Sequence, residues 1–231
     1  MARKGSQEVL DGSSNSVHKR TKETKEKLKV TEKIVAFRND LVDTSKRLVF
    51  CTGLPSTGKT RSAIECAIEQ VQRGTYERLI IVRPVIIPTY GFLPGDSDTK
   101  MFPYIRQSLI YINKSAQIDL AEKIEVIPVD QLQGNRFFNA IVVMDEMQSV
   151  PKEETFKVLS RVGENSKFII LGDTSKGQEH KKVKDNSILH YVIDKFKGKP
   201  YVAVHEFYEE SDILGDAVTK DIICTLMPDF L

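Results

Sequence analysis

The stretch CTGLPSTGKT (51–60) decides how the rest of the chain is read. Gly53, four residues, then Gly58, Lys59 and Thr60 have the spacing of a phosphate-cradling loop. Each position answers a physical demand. Glycines let the chain curl until successive amides converge on phosphate oxygens. The Lys59 ammonium would reach the β and γ phosphates, and the Thr60 hydroxyl would ligate magnesium. The flanks agree. RLVFC (47–51) is an apolar strand run, and TRSAIECAIEQVQR (60–73) sets Ala63, Ile64, Ala67, Ile68 and Val71 at helical spacing. Strand, loop and helix together put the phosphates at a helix N-terminus. The expected ATP contacts are Gly53, Leu54, Pro55, Ser56, Thr57, Gly58, Lys59, Thr60 and Arg61.

Five further apolar runs follow: RLIIVR (78–83), KIEVIP (123–128), AIVVMD (140–145), KFIILGD (167–173) and YVAVHEF (201–207). Helical patterns are expected at 25–43, 60–73, 99–113, 152–161, 187–196 and 212–226. Apolar strands alternating with helices predict an α/β fold, a mainly parallel sheet covered on both faces. This is the three-layer, RecA-like architecture of a P-loop NTPase. In AIVVMDE, Asp145 and Glu146 leave the carboxyl end of a strand, where open α/β sheets place their ligands. Asp145 would share the magnesium with Thr60, and Glu146 would orient and deprotonate a water for attack on the γ-phosphate. Asp173 ends IILGD in the same way and reads as a γ-phosphate sensor. With Thr174 and Ser175 behind it, it also fits a helix N-cap.

Composition bounds the alternatives. The 231 residues are 40% hydrophobic, enough for one α/β core. No stretch approaches the roughly 18 apolar residues of a membrane span, and no signal-peptide core opens the chain. Three cysteines (Cys51, Cys66, Cys224) without a C-x-x-C pair point to a reducing, cytoplasmic setting. The four histidines lack metal-ligand spacing and read as surface or loop residues. Charge is uneven. Residues 1–33 carry nine basic and five acidic side chains, a net of +4; the 25 basic and 27 acidic residues beyond leave −2. Residues 1–24, polar and rich in Gly and Ser, read as a disordered basic arm. Such an arm suits nucleic acid, and equally a solvated tail. Residues 25–231 read as the folded domain.

The stretch RPVIIPTYGFLPGDSDTKMFPY (83–104) is not explained by phosphate-loop chemistry. Its RP…GFLPG…K…PY pattern resembles the PhoH family of ATPases, which look like the first motor domain of superfamily-one helicases standing alone. DEMQ (145–148), LSRVG (159–163) and LGD (171–173) continue the resemblance, which spans about residues 30–225. It implies ATP and magnesium as cofactors, single-stranded RNA or DNA as partner, and a homo-oligomer. Helicase and ribonuclease activities go with relatives that carry extra domains, and none is expected within these 231 residues. The resemblance also assigns Gln148 a place near the γ-phosphate, beside the catalytic Lys59, Glu146 and Asp173. Arg83 would face nucleic acid or a neighbouring subunit, or be a plain strand-end charge before Pro84.

Four departures stand out. Ser56 replaces a second loop glycine, and Lys176 replaces a glutamine. QGNR (133–136) keeps Gly134 and displaces one arginine to Arg136. In DILG (212–215), Gly215 stands where the pattern has arginine. An arginine beside the γ-phosphate is worth about 10³–10⁵ in rate, so binding is more secure than fast hydrolysis. An ATPase acting with nucleic acid is therefore weighed against a nucleotide-gated binding module that regulates a partner protein. A small-molecule kinase fits worst, because KGQEHKKVKD (176–185) is lysine-rich where an arginine lid belongs. If neighbouring copies complete the site, Arg161 or Arg136 is the expected cation. The short, diverged chain suits a phage or other mobile element.

Overall fold

The apolar runs form six parallel strands among the described residues, which in this computed structural model are 31–84, 121–129, 132, 136–175 and 188–226. The strands are β1 (Leu48–Gly53), β2 (Arg78–Arg83), β3 (Ile124–Pro128), β4 (Ala140–Met144), β5 (Lys167–Gly172) and β6 (Val202–Phe207), in the order β3-β2-β4-β5-β1-β6. The helices are α1 (Glu32–Val42), α2 (Lys59–Gln72), α3 (Lys152–Leu159), α4 (Ile188–Phe196) and α5 (Ala217–Leu226). The expected arm, the helix at 99–113, GFLPG, Gly134 and Lys176 lie outside the described residues.

Period-two alternation sorts the strand side chains into two cores. Val49, Cys51, Leu79, Ile81, Ile141, Val143, Ile169 and Leu171 pack with Ile34, Phe37 and Leu41 of α1 and with the apolar face of α2. Phe50, Ile80, Val82, Val142, Met144, Phe168 and Ile170 pack with Val158 of α3 and Leu189, Val192 and Ile193 of α4. The result is the expected three-layer α/β fold. A third, small cluster joins Leu54 to Ile213 and Ile223 and seats α5 on the phosphate loop.

Register carries the strand ends to one edge. Gly53 pairs with Phe207, Thr52 with Gly172, Met144 with Ile170, and Val82 with Met144. Because β5 lies between β1 and β4, the segment after β5 emerges between the phosphate loop and Asp145.

Three sequence expectations need correction. The first helix begins at Glu32, because the Thr31 hydroxyl accepts the Ile34 amide at 3.3 Å and caps it. The last helix begins at Ala217, not 212: Asp216 caps it through the Thr219 amide at 2.8 Å. Asp212 instead closes a tight turn by accepting the Glu209 amide. The third correction is His205, which sits half-buried on β6, 2.9 Å from Asp40 and against the Phe37 ring. Burial pulls its pKa down, against the pull of Asp40.

Lys167, which the sequence presents as a polar strand start, is fully buried. Its ammonium donates to the carbonyls of Asp40, Leu41 and Asp43 at 2.6–2.9 Å, satisfying the orphan acceptors at the end of α1. Burial pushes its pKa down to about 8, against Asp43 and Asp40, so the charged form still dominates at neutral pH. Lys167→Met is expected to cost about 3 kcal/mol, since it strands buried carbonyls without a donor. Chemical denaturation would show it; a loss under about 1 kcal/mol would mean that water replaces the ammonium. Among the described residues, no helix is long and apolar enough to cross a membrane.

Candidate functional site

Gly53 leaves β1 with φ +152°, and a Cβ there would come within 2.3 Å of the Phe207 carbonyl oxygen. Only glycine fits. The next amide, of Leu54, donates to that same carbonyl at 2.8 Å, and the Ser56 carbonyl accepts from the Leu214 amide at 2.9 Å. The loop is thus tied from outside by the β6 end and by the DILG segment. Gly58 turns it back with φ +80° into α2, whose backbone ladder opens with Ser62 N–H to the Gly58 carbonyl. The amides of Lys59 and Thr60 precede that ladder, at the helix N-terminus where backbone donors can face an anion.

Lys59 reaches into the loop. Its ammonium donates to the carbonyls of Gly53 (2.7 Å) and Leu54 (2.6 Å) and to the Thr57 hydroxyl (3.1 Å). Burial pulls its pKa down; Cys51, Asp173, Asp145 and Glu146 pull it up. The Thr57 hydroxyl in turn donates to the Leu54 carbonyl at 3.0 Å. Leu54 contributes backbone and packing, with its side chain buried against Ile213 and Ile223. Pro55 is exposed at the tip, and Arg61 pairs with Glu65 on α2 at 2.9 Å.

Ser56 shows why glycine belongs at its position. It is exposed and holds φ +59°, in the left-handed region that costs a side chain roughly 1–2 kcal/mol. Ser56→Gly relieves this cost and gives back part of it as chain entropy. A net gain of about 0.5–1 kcal/mol is expected. Thermal melting should register it as a rise of a few degrees, and a fall would show that the hydroxyl is needed.

The acidic half faces the loop from β4 and β5. Asp145 is buried, and its carboxylate receives the Thr60 hydroxyl at 3.2–3.3 Å and the Glu146 amide at 3.1 Å. These are two hard oxygen donors, the set that magnesium combines with phosphate and water oxygens. Arg83 is ion-paired with Asp145 through its guanidinium. Arg83 does end β2, as expected, and its side chain is only 16% exposed. Parallel pairing of Val82 with Met144 places residues 83 and 145 side by side.

Glu146 is exposed and holds φ +58°, a strained turn that presents its carboxylate at the mouth. Gln148 connects the pieces. Its amide nitrogen donates to Glu146 at 2.8 Å, and its carbonyl oxygen accepts the Asp173 amide at 3.1 Å. Gly172 permits this approach, for a Cβ there would lie 3.0 Å from Gln148 Oε1. Asp173 accepts the Ser175 amide at 2.9 Å, an Asx turn.

Some residues escaped the sequence reading. Tyr208 receives the Thr174 amide at 3.0 Å, holding the segment after β5. Buried Asp212 bonds Lys33 of α1 at 2.9 Å and so anchors the DILG segment. Tyr208 had no signal; Asp212 lies in a motif noticed only for its fourth residue. Gly215 follows Leu214 beside the loop, with Thr219 Cγ2 2.5 Å from where its Cβ would be. Arg161 and exposed Arg136 are not brought to this edge. The Arg161 carbonyl bonds the Phe137 amide, ahead of β4, at the amino end of the sheet.

The fold and this arrangement have recognisable kin. The chain is 36% identical over 137 residues to a PhoH-like protein of Synechocystis, covering 56% of this chain and 42% of the relative. It is 30% identical over 184 residues to a PhoH-like protein of Bacillus subtilis (76% and 57%) and 32% identical over 142 residues to Protein PhoH of Escherichia coli (57% and 40%). The matches thus span 40–57% of the length of these curated relatives. The family profile for PhoH-like protein matches residues 21–226. With a phosphate loop on β1, an acid pair after β4 and six parallel strands between helical layers, the chain belongs to the PhoH-like family of P-loop NTPases.

Proposed function

We propose that the protein is a magnesium-dependent ATPase that works with single-stranded RNA or DNA. The observation that carries this reading is the Gly53–Thr60 loop facing Asp145 and Glu146 across one sheet edge, with the Thr60 hydroxyl on the Asp145 carboxylate. The loop amides and the first turn of α2 would cradle the β-phosphate. Lys59 would leave its three loop oxygens for the phosphates, and Thr60 and Asp145 would hold the metal. Magnesium, when bound, neutralises charge on the phosphate oxygens. Glu146, exposed at the mouth, would orient a water and take its proton. Gln148 would report the position of Glu146 to the backbone of Asp173, and thence through Thr174 to Tyr208.

The basic balance of residues 1–33 supports a nucleic-acid partner. A homo-oligomer is part of the proposal as well. Arg161 lies at the amino end of its own sheet, so it would reach a nucleotide only from the next copy. A second reading, a nucleotide-gated binding module, is favoured by Gly215 standing beside the loop where an arginine would add charge. Steady-state phosphate release with and without single-stranded RNA tests the proposal. Magnesium-dependent release that rises with RNA supports it. Binding of Mg·ATP without release above the Lys59→Ala background would favour the gated module.

A further inference from the structure

The metal position proposed above has an internal competitor. Asp145 is almost fully buried, and its carboxylate is shared by the Thr60 hydroxyl, the Glu146 amide and the Arg83 guanidinium. The Arg83 contact is on Oδ2, an oxygen that Thr60 also approaches, at 3.3 Å. A divalent ion held by Asp145 and Thr60 would therefore be pressed against a guanidinium in a poorly solvated pocket. Two cations on one carboxylate repel strongly at that range.

We infer that Arg83 holds the place of the metal on Asp145, so that a divalent cation enters only together with the nucleotide phosphates. Three features support this. The pair is enforced by backbone register, because Val82 lies opposite Met144 and the next residues are Arg83 and Asp145. Both side chains are shielded, at 16% and 6% exposure, so solvent screens the contact little. The displaced guanidinium also stays at the same edge of the sheet as the phosphate loop. Bound phosphate oxygens would give it a new bidentate acceptor when the metal takes Asp145. The sequence leaves Arg83 facing nucleic acid or a neighbouring subunit, or as a plain strand-end charge; its pairing with Asp145 makes it a cation that guards the metal ligand. Arg83 is a positioning residue in this account. It prevents idle metal binding and makes loading of metal and nucleotide one event.

This inference rests on the nucleotide-site reading, but its test is separable from it. Manganese, a spectroscopic stand-in for magnesium, is titrated into the nucleotide-free full chain by electron paramagnetic resonance. Wild type should bind it weakly. Arg83→Gln should bind at least 10-fold more tightly, and the double variant Arg83→Gln/Asp145→Asn should lose the gain. Arg83→Met, which keeps the aliphatic stem, gives the same reading if the glutamine variant fails to fold. A folded Arg83 variant with wild-type manganese affinity would overturn the inference, and so would a gain that survives loss of Asp145. Adding a non-hydrolysable ATP analogue should tighten manganese on wild type far more than on Arg83→Gln. If the analogue does not bind at all, the nucleotide reading fails while the apo titration still decides the role of Arg83.

Discussion

Glu146→Gln is expected to leave ATP binding intact and to lower turnover by about 100-fold or more. The geometry makes this a clean substitution. Glu146 accepts one hydrogen bond, from the Gln148 amide nitrogen, and a glutamine carbonyl at position 146 can accept the same bond. The exposed side chain supports no core contact, and the left-handed backbone is no harder for glutamine than for glutamate. What disappears is the carboxylate charge, and with it the capacity to take a proton from water. Single-turnover phosphate release measures it, with nucleotide affinity as the control. Unchanged turnover would demote Glu146 to a structural acid and move the base elsewhere.

Lys59→Ala should act on the other half of the chemistry. A charge-assisted hydrogen bond contributes about 1.5–3 kcal/mol, so loss of the ammonium predicts ATP affinity about 10- to 100-fold weaker. The fold should survive. The apolar contacts of α2 come from Ala63, Ile64, Ala67, Ile68 and Val71, and the loop keeps its ties from Leu54 to Phe207 and from Leu214 to Ser56. Fluorescence titration with a labelled ATP, beside a thermal melt, separates the two effects. Weak binding with an unchanged melt is the expected pair of results.

How much of this was legible beforehand depends on the distance over which each signal acts. All six strands were readable, because apolar runs of five or six residues between turn residues have few other uses. The strand–loop–helix at 48–72 and the placement of Asp145 and Glu146 after β4 were readable as well, since both are set within a few residues of backbone. The pairing of Arg83 with Asp145 was not readable, because the partner is 62 residues away and is fixed by strand register, which local sequence does not reveal. Lys167 was unreadable for the same reason: its three acceptors lie at the end of α1, 124–127 residues earlier. The start of α5 was misplaced because the Asp212 side chain closes a turn where helical periodicity alone would continue the helix. Ser56, singled out in the sequence, holds a positive φ that glycine would adopt without strain.

Calorimetric titration of the wild-type chain with a magnesium-loaded, non-hydrolysable ATP analogue tests the central claim most directly. One nucleotide per chain should bind, with the heat much reduced in Lys59→Ala and Gly53 protected from hydrogen exchange on binding. No saturable binding by a folded wild-type chain, or equal affinity in wild type and Lys59→Ala, would contradict a nucleotide site at residues 53–60.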